Sequence, residues 1–172
     1  MMEPTRIATF GELVDARQVE ILRYLLRLTG DSSDAEDLFQ ETFLRALRAF
    51  PRLRAGSNHR AWLYRIATNV FLNHHRDGQR RPEVALPGEL AGNGPSPDAD
   101  HDRTLTAHAF RRALARLPRR QRVAFVQRSV NGLSYQEIAN ALGCTPDTAR
   151  AHVYQAVRRL RREMVAQGVT TS

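Results

Sequence analysis

Lysine is absent from the sequence: all 26 basic residues are arginine, and with 18 acidic residues they give a formal net charge of +8. Without lysine, Schiff-base chemistry, a lysine general base and a phosphate-loop lysine are excluded. Arginine stays charged and makes bidentate contacts to phosphate and to guanine. The composition therefore favours a polyanionic partner such as nucleic acid.

Cysteine and long apolar runs are scarce as well. The single cysteine, Cys144, cannot form an intrachain disulfide, which argues against a secreted, disulfide-held chain and favours a reducing compartment. No apolar run reaches the roughly eighteen residues that a transmembrane helix needs. The first residues also lack the basic-then-apolar layout of a signal peptide. We therefore expect a cytoplasmic protein with no membrane contact.

Motifs for catalysis and metal binding are missing too. The adjacent His74 and His75 would point about 100° apart on a helix and cannot chelate one ion together. The sequence contains no H-x-x-x-H, no C-x-x-C, no glycine-rich phosphate loop and no G-x-S-x-G elbow. We expect no enzymatic activity, no metal and no cofactor.

Two short helices joined by a tight turn are predicted within residues 133–160. The S-x-x-E pattern at 134–137 is a capping box that starts the first helix, and Gly143 can adopt the left-handed conformation that ends it. Thr145 can cap the second helix, whose first position suits Pro146 because no backbone N–H is needed there. This spacing is typical of a helix-turn-helix and predicts DNA binding.

The second of these helices separates an apolar stripe from a cationic face. Its apolar residues recur at steps of four, four, three and four, at Ala149, Val153, Val157, Leu160 and Met164. Polar and basic residues fall mostly outside that stripe: Arg150, His152, Gln155, Arg158, Arg159, Arg161 and Arg162. A merely solvated cationic face would look similar. Acids are almost absent from this one, which favours contact with DNA.

Helical periodicity runs through both ends of the chain, and no period-two strand pattern appears. Between residues 82 and 102 lie four prolines, three glycines, five acids and no arginine. We therefore predict an all-α fold of two small helical domains joined by a flexible acidic linker, the C-terminal domain containing the helix-turn-helix. The predicted bounds are 8–77, 78–103 and 104–166. The linker is interpreted as a spacer, although acidic mimicry of nucleic acid in a partner's groove is an alternative.

The N-terminal domain carries two candidate surfaces. A capping box at 33–36 and the helix dipole account for the acids that begin its second helix. They do not account for the mixed surface that follows at 40–48, which we interpret as a protein-docking face. Trp62 and Phe71 lie among arginines and could stack on unpaired bases, but their helical spacing favours the core.

Three stretches, residues 34–50, 61–81 and 114–162, together resemble the extracytoplasmic-function (ECF) group of bacterial RNA polymerase sigma factors. The resemblance is specific because three motifs occur in the family's order and spacing. It implies a two-domain helical initiation factor that joins bacterial core RNA polymerase and directs it to promoter DNA. It also implies an anti-sigma factor as a further partner.

The resemblance further implies a role for individual residues. The polymerase-binding residues would be Asp37, Leu38, Gln40, Glu41 and Leu44. Melted −10 DNA would be bound by Asn69, Asn73, His74, Arg76, Arg80 and Arg81. Duplex −35 DNA would be bound by Arg150, His152, Tyr154, Gln155, Arg158 and Arg159.

The recognition helix departs from the family pattern, which usually reads T-V-[KR]-S-R and then R-A-R. Here residues 148–152 read TARAH and residues 155–157 read QAV. The loss of three arginines and a serine implies an altered −35 sequence or a weaker dependence on it. Gln155 could read adenine through a bidentate pair.

The alternative interpretation is a stand-alone helix-turn-helix regulator whose N-terminal domain senses a signal or dimerises. Such a protein binds duplex DNA unaided, as a dimer on half-sites about one helical turn apart. The sequence offers no heptad seam for a dimer. A nucleic-acid enzyme is disfavoured by the lack of any cluster of acids or metal ligands, so the sigma-factor interpretation is preferred.

Overall fold

The computed structural model describes residues 9–74 and 97–169, of which 97–100 as backbone alone. These residues form α-helices with one short 3-10 helix after the second, and no strand occurs within the described ranges. The helices are α1 (Phe10–Thr29), α2 (Ser32–Ala49), the 3-10 helix (Phe50–Arg52), α3 (His59–Asn73), α4 (Pro97–Arg116), α5 (Arg119–Ser129), α6 (Tyr135–Leu142) and α7 (Pro146–Ala166). The predicted all-α class is confirmed.

The two helices of the helix-turn-helix begin and end where the sequence predicts, because the predicted capping groups are present. The Ser134 hydroxyl accepts a hydrogen bond from the Glu137 N–H at 3.1 Å, and the Glu137 carboxylate accepts one from the Ser134 N–H at 2.8 Å. Gly143 ends α6 with a φ of 63°. The Thr145 hydroxyl accepts from the Thr148 N–H at 3.2 Å and starts α7.

Two predicted helix starts are wrong. Helix α2 begins at Ser32 because the Asp31 carboxylate accepts from the Asp34 N–H at 2.8 Å, which replaces the expected capping box at 33–36. Helix α4 begins at Pro97, inside the segment 78–103 expected to be linker. Proline suits a first helical position, and the acid-rich sequence after it is favoured by the helix dipole. The rest of the expected linker, up to residue 96, lies outside the described residues.

Each half of the chain builds a small helical lobe. Helices α1 to α3 form the N-lobe, and α4 to α7 form the C-lobe. The N-lobe core includes the buried residues Leu13, Ile21, Leu25, Leu28, Ala35, Leu38, Ala46, Leu63 and Ala67. The C-lobe core includes the buried residues Leu117, Val123, Val126, Leu133, Ile138, Leu142, Val153 and Leu160. The Cys144 side chain, half-buried in the turn, packs against this C-lobe core.

The two lobes also pack against each other, which the sequence did not predict. Helix α3 lies against α6, and α1 lies against α5. At the centre of this seam the Gln127 amide donates to Tyr24 Oη at 2.9 Å and to Thr68 Oγ1 at 2.8 Å. One side chain of the C-lobe thereby joins two helices of the N-lobe.

Neither a membrane-spanning helix nor a metal-binding cluster occurs among the described residues. None of their helices has the length and apolarity needed to cross a bilayer. Within the same ranges, no three side chains of histidine, cysteine, aspartate or glutamate come together in a metal-binding group.

The packing of α6 leads to a stability prediction. Ile138 is fully buried in the C-lobe core, so Ile138→Ala should lower the free energy of unfolding by about 2–5 kcal/mol through lost burial and the cavity left behind. Gln136→Ala, at an exposed position of the same helix, should change it by less than about 0.5 kcal/mol. Urea denaturation followed by circular dichroism would measure both, and equal effects would contradict the assigned core.

Candidate nucleic-acid interface

Helix α7 presents its basic face to solvent because its apolar face is occupied by the rest of the C-lobe. The buried residues of α7 are Ala149, Val153, Ala156, Leu160 and Met164. Val157 of the predicted stripe is only partly buried, and Ala156 takes the fully buried position in its place. The exposed side chains on the remaining surface include Arg150, Tyr154, Gln155, Arg158 and Arg159, all predicted to contact −35 DNA.

An aromatic ring holds the first arginine of this face. The Arg150 guanidinium carbon lies 4.9 Å from the centroid of the Tyr135 ring, and that of Arg128 lies 4.4 Å from the same ring. Tyr135 opens α6 and Arg128 lies in the last turn of α5, so the contact joins three helices. A cation–π contact of this kind attracts the guanidinium to the face of the ring and so restricts the conformations of a long side chain. Arg150 is therefore held at the amino end of α7, the end that reads bases in helix-turn-helix proteins.

Two residues of α5, Gln121 and Arg120, interact with side chains in the middle of the same face. The buried Gln121 donates from Nε2 to Oε1 of Gln155 at 2.8 Å, which leaves the Gln155 amide N–H groups directed elsewhere. Burial, and then the nearby Arg120 charge, lower the pKa of His152. At neutral pH the neutral imidazole of His152 is therefore favoured, and it can donate one hydrogen bond and accept another.

Tyr154 is the most exposed large hydrophobic side chain of this surface, at 63%. The Arg158 guanidinium carbon lies 5.8 Å from the centroid of the Tyr154 ring. Arg158 and the next residue, Arg159, are both exposed. Arginines that flank an exposed ring on one helix face suit contacts to the phosphate backbone beside a groove.

Two of the six predicted −10 residues lie on the exposed side of α3. Asn69 and Asn73 are both exposed and lie one turn apart, close to the exposed Arg65. His74 follows the helix, with its Nε2 4.0 Å from the Asp34 carboxylate. Arg76, Arg80 and Arg81, also predicted to contact −10 DNA, lie outside the described residues. Trp62 and Phe71 belong to the core or pack against it, so their interpretation as core residues is confirmed.

A cleft of about 530 Å³ separates this side of α3 from the C-lobe. Its walls are formed by Arg65, Asn69, Leu72, Asn73, Arg119, Arg120, Asn140, Ala141, Leu142 and Gly143. The sequence did not predict that Arg119 and Arg120 of α5 line the same cleft as Asn69 and Asn73 of α3. No pattern among neighbouring residues indicates that these two helices lie close together.

The predicted docking face lies along the exposed side of α2. Asp37 and Gln40 are exposed, Leu44 is 49% exposed, and the Glu41 carboxylate accepts from Arg45 Nε at 2.6 Å. Such an exposed ion pair one turn apart contributes little stability.

Leu38 does not belong to this exposed face, whereas Leu47, which was not predicted, does. Leu38 was predicted to contact polymerase but is only 4% exposed, because it belongs to the stripe that packs α2 into the N-lobe core; that prediction is wrong. Leu47 was not predicted and is 50% exposed, one helical turn beyond Leu44. An exposed leucine pair bordered by polar residues resembles the apolar centre and polar rim of a protein interface.

Comparisons with known proteins agree with this layout. The sequence profile of Sigma-70 region 2 matches residues 13–81, and that of Sigma-70, region 4 matches residues 107–160. The chain is 36% identical over 177 residues to the ECF RNA polymerase sigma factor SigL of Mycobacterium tuberculosis, covering 95% of this chain and 93% of that protein. It is 36% identical over 157 residues to the ECF RNA polymerase sigma factor SigE of Mycolicibacterium smegmatis, covering 89% of this chain but only 60% of that protein.

A solved structure extends the similarity to three dimensions. The sigma factor RpoE, crystallised with the anti-sigma factor NepR from Bartonella quintana, superposes with a TM-score of 0.74 and 26% identity over 92% of this chain and 98% of that one. Because the superposition covers both lobes, it includes their placement relative to each other. With both profiles in order and SigL matched along 93% of its length, this chain belongs to the ECF group of the sigma-70 family of RNA polymerase sigma factors.

Proposed function

We propose that this chain joins core RNA polymerase through α2 and directs it to promoters by reading duplex −35 DNA with α7 and melted −10 DNA with α3. The observation that carries the proposal is the presence of three separate exposed surfaces on one chain: a leucine-and-acid face, an asparagine-and-arginine face and a basic helix-turn-helix. A stand-alone regulator would need only the last of these. Sigma factors are in general not enzymes, and no catalytic role is assigned to any residue.

Reading of the −35 element would begin at the amino end of α7. Arg150, restrained by the Tyr135 ring, would make a bidentate contact such as that of arginine with guanine O6 and N7. Gln155 would read a second base through its amide, and its contact with Gln121 limits the directions it can take. Arg158 and Arg159 would bind phosphates and so position the helix in the major groove.

Reading of the −10 element would use Asn69 and Asn73, whose amides offer both donors and acceptors to an unpaired base. Extruding a base from the stack costs a few kcal/mol, which hydrogen bonds and nearby arginines can offset. Arg65 supplies a charge on the same exposed side of α3. The predicted contacts of His74, Arg76, Arg80 and Arg81 would extend this surface along the strand.

Docking to polymerase would centre on Leu44 and Leu47, with Asp37, Gln40 and Glu41 around them. Burial of two half-exposed leucines supplies an apolar centre, and the surrounding acids select a basic partner surface. An anti-sigma factor is proposed as a further partner because RpoE, which this chain resembles along both lobes, was solved with the anti-sigma factor NepR.

Polymerase docking is tested by size-exclusion co-elution with core polymerase that lacks its own sigma factor. The chain should co-elute in stoichiometric amounts, and the double variant Gln40→Ala/Glu41→Ala should lose co-elution while keeping its helical circular dichroism. The matched control removes one exposed amide and one exposed acid from α1, as Asp15→Ala/Gln18→Ala, and should behave as the parent chain. A folded chain that does not co-elute with polymerase but binds a palindromic duplex as a dimer would instead be an independent regulator.

Base reading by α7 is tested by promoter binding of the polymerase complex. Arg150→Ala should cost about 1–3 kcal/mol of affinity and relax selectivity at one position of the −35 element. Tyr135→Leu should relax selectivity at that same position because the restraining ring is lost, whereas Tyr135→Phe should keep it. Arg158→Ala should weaken all sequences alike. Uniform weakening by Arg150→Ala would make Arg150 a phosphate contact and contradict its assignment as a base reader.

A further inference from the structure

We propose that Gln121, which lies on α5 and outside the recognition helix, is a positioning residue that holds the Gln155 amide with its N–H groups available to DNA. Gln155 then reads a base with a carbonyl oxygen in the major groove, guanine or thymine, rather than a base with an amino group there, adenine or cytosine. This inference names the base chemistry of one −35 position, and it rests on the proposed reading of duplex DNA by α7.

A hydrogen bond between α5 and α7 is the observation that carries the inference. Gln121 Nε2 donates to Gln155 Oε1 at 2.8 Å. Gln121 is only 8% exposed, whereas Gln155 lies on the exposed side of α7. A side-chain amide has one oxygen acceptor and two N–H donors. The oxygen of Gln155 is therefore turned toward α5, and the donors are the groups left for a ligand.

Gln121 is the fixed member of this pair, because both of its neighbours in the chain are anchored within the C-lobe. Arg120 donates to the Leu142 carbonyl at the end of α6. Arg122 donates to the Ala115 carbonyl at 2.6 Å, near the end of α4. A buried side chain on a turn held at two points has few alternative positions. The exposed amide on α7 therefore adapts to Gln121, and not the reverse.

The burial of Gln121 also favours one orientation of the two amides. The Gln121 Oε1 atom is buried and has no hydrogen-bond partner among the described residues. A reversed amide would turn its oxygen toward Gln155 and place two N–H groups, each of which needs an acceptor, where one oxygen now lies. A buried carbonyl with unused lone pairs is tolerated more often than a buried N–H group without a partner. The orientation in which Gln121 donates is therefore the more stable one.

The same hydrogen bond strengthens the donors that Gln155 offers to DNA. Hydrogen bonds in a chain polarise one another, so an amide whose oxygen accepts becomes a better donor at its nitrogen. The exposed Arg158 and Arg159, one turn further along α7, carry only donors and cannot accept from Gln155. The Gln155 N–H groups therefore suit acceptors on a bound base.

Major-groove chemistry divides the four bases into two classes for such a donor. Guanine O6 and thymine O4 accept hydrogen bonds, whereas adenine N6 and cytosine N4 donate them. Guanine is favoured further because N7 lies beside O6 as a second acceptor. The bidentate pair with adenine that the sequence suggests also needs the Gln155 oxygen turned to the base, and that oxygen is turned to Gln121.

The inference is tested by selection from a promoter library whose −35 region is randomised, using core polymerase loaded with the parent chain or a variant. Gln155→Ala identifies the position that this side chain reads, because the base preference should disappear there alone. At that position the parent should favour guanine or thymine over adenine or cytosine by at least about 5-fold. A parent preference for adenine or cytosine there, or no position affected by Gln155→Ala, would overturn the inference.

Gln121→Glu should reverse the preference. It places a group without donors beside Gln155, which should then donate to it and turn its own oxygen toward DNA, so that adenine or cytosine is favoured. A glutamate is favoured by the dipole in the first turn of α5, and Pro118 before that turn has no N–H that could divert it. Gln18→Glu adds the same charge at an exposed position of α1 and should keep the parent preference. An unchanged preference in Gln121→Glu would show that Gln121 does not position Gln155.

An uncharged variant guards against misfolding of the charged one. Gln121→Met keeps an unbranched side chain of similar length but removes both amide groups, so Gln155 should be released and its preference should fall toward equal use of the four bases. In a chain that already carries Gln155→Ala, Gln121→Met should change selectivity no further, because its effect passes through Gln155. A further change would give Gln121 a base-reading role of its own and overturn the positioning role.

Side-chain amide exchange in the free chain separates this inference from the proposed function. Nuclear magnetic resonance should show slow exchange with water for the Gln121 amide protons and fast exchange for those of Gln155. Protected Gln155 protons would reverse the orientation of the pair and overturn the inference. If no chain, the parent included, selects any −35 sequence, the proposed function fails, whereas the amide exchange still decides how the two side chains are oriented.

Discussion

The first turn of α5 is the point on which the rest of the structure depends. Three arginines there reach the carboxyl ends of three other helices: Arg119 that of α3, Arg122 that of α1 at Leu28, and Arg120 that of α6 at Leu142. Cations at the start of a helix are disfavoured by its dipole and favoured at the end of one. Assembly of three carboxyl ends around this turn offsets that cost. Both lobes are therefore arranged around one segment of the C-lobe.

The exclusive use of arginine makes this arrangement possible and also serves DNA binding. A planar guanidinium has five donors, so Arg119 bonds two carbonyls and still lies over the Phe71 ring. The same chemistry places Arg128 and Arg150 against the ring of Tyr135, which links the amino end of α7 to α5 and α6. Lysine has a compact ammonium without a planar face and would not support these contacts equally well.

Sequence patterns succeeded where the physical cause lies within a few residues. The capping box at 134–137 and the left-handed Gly143 were predicted and are present, because such signals act across a single turn. They failed where two signals compete, as when Asp31 caps α2 before the expected box at 33–36 can do so. Helical period also separated the exposed side of α2 from its core side; Leu38, which the family resemblance rather than the period implied as a polymerase contact, is buried on the core side.

The sequence alone determined the helical class, the helix-turn-helix, the basic face of α7 and the family, since each depends on neighbours along the chain or on the order of motifs. Only the tertiary structure decided that the lobes close on each other, that Tyr135 restrains Arg150 and that Gln127 is buried between two helices. Gln127 lies 103 positions from Tyr24 and 59 from Thr68. No periodicity or spacing predicts such contacts, because they follow from the packing of whole helices.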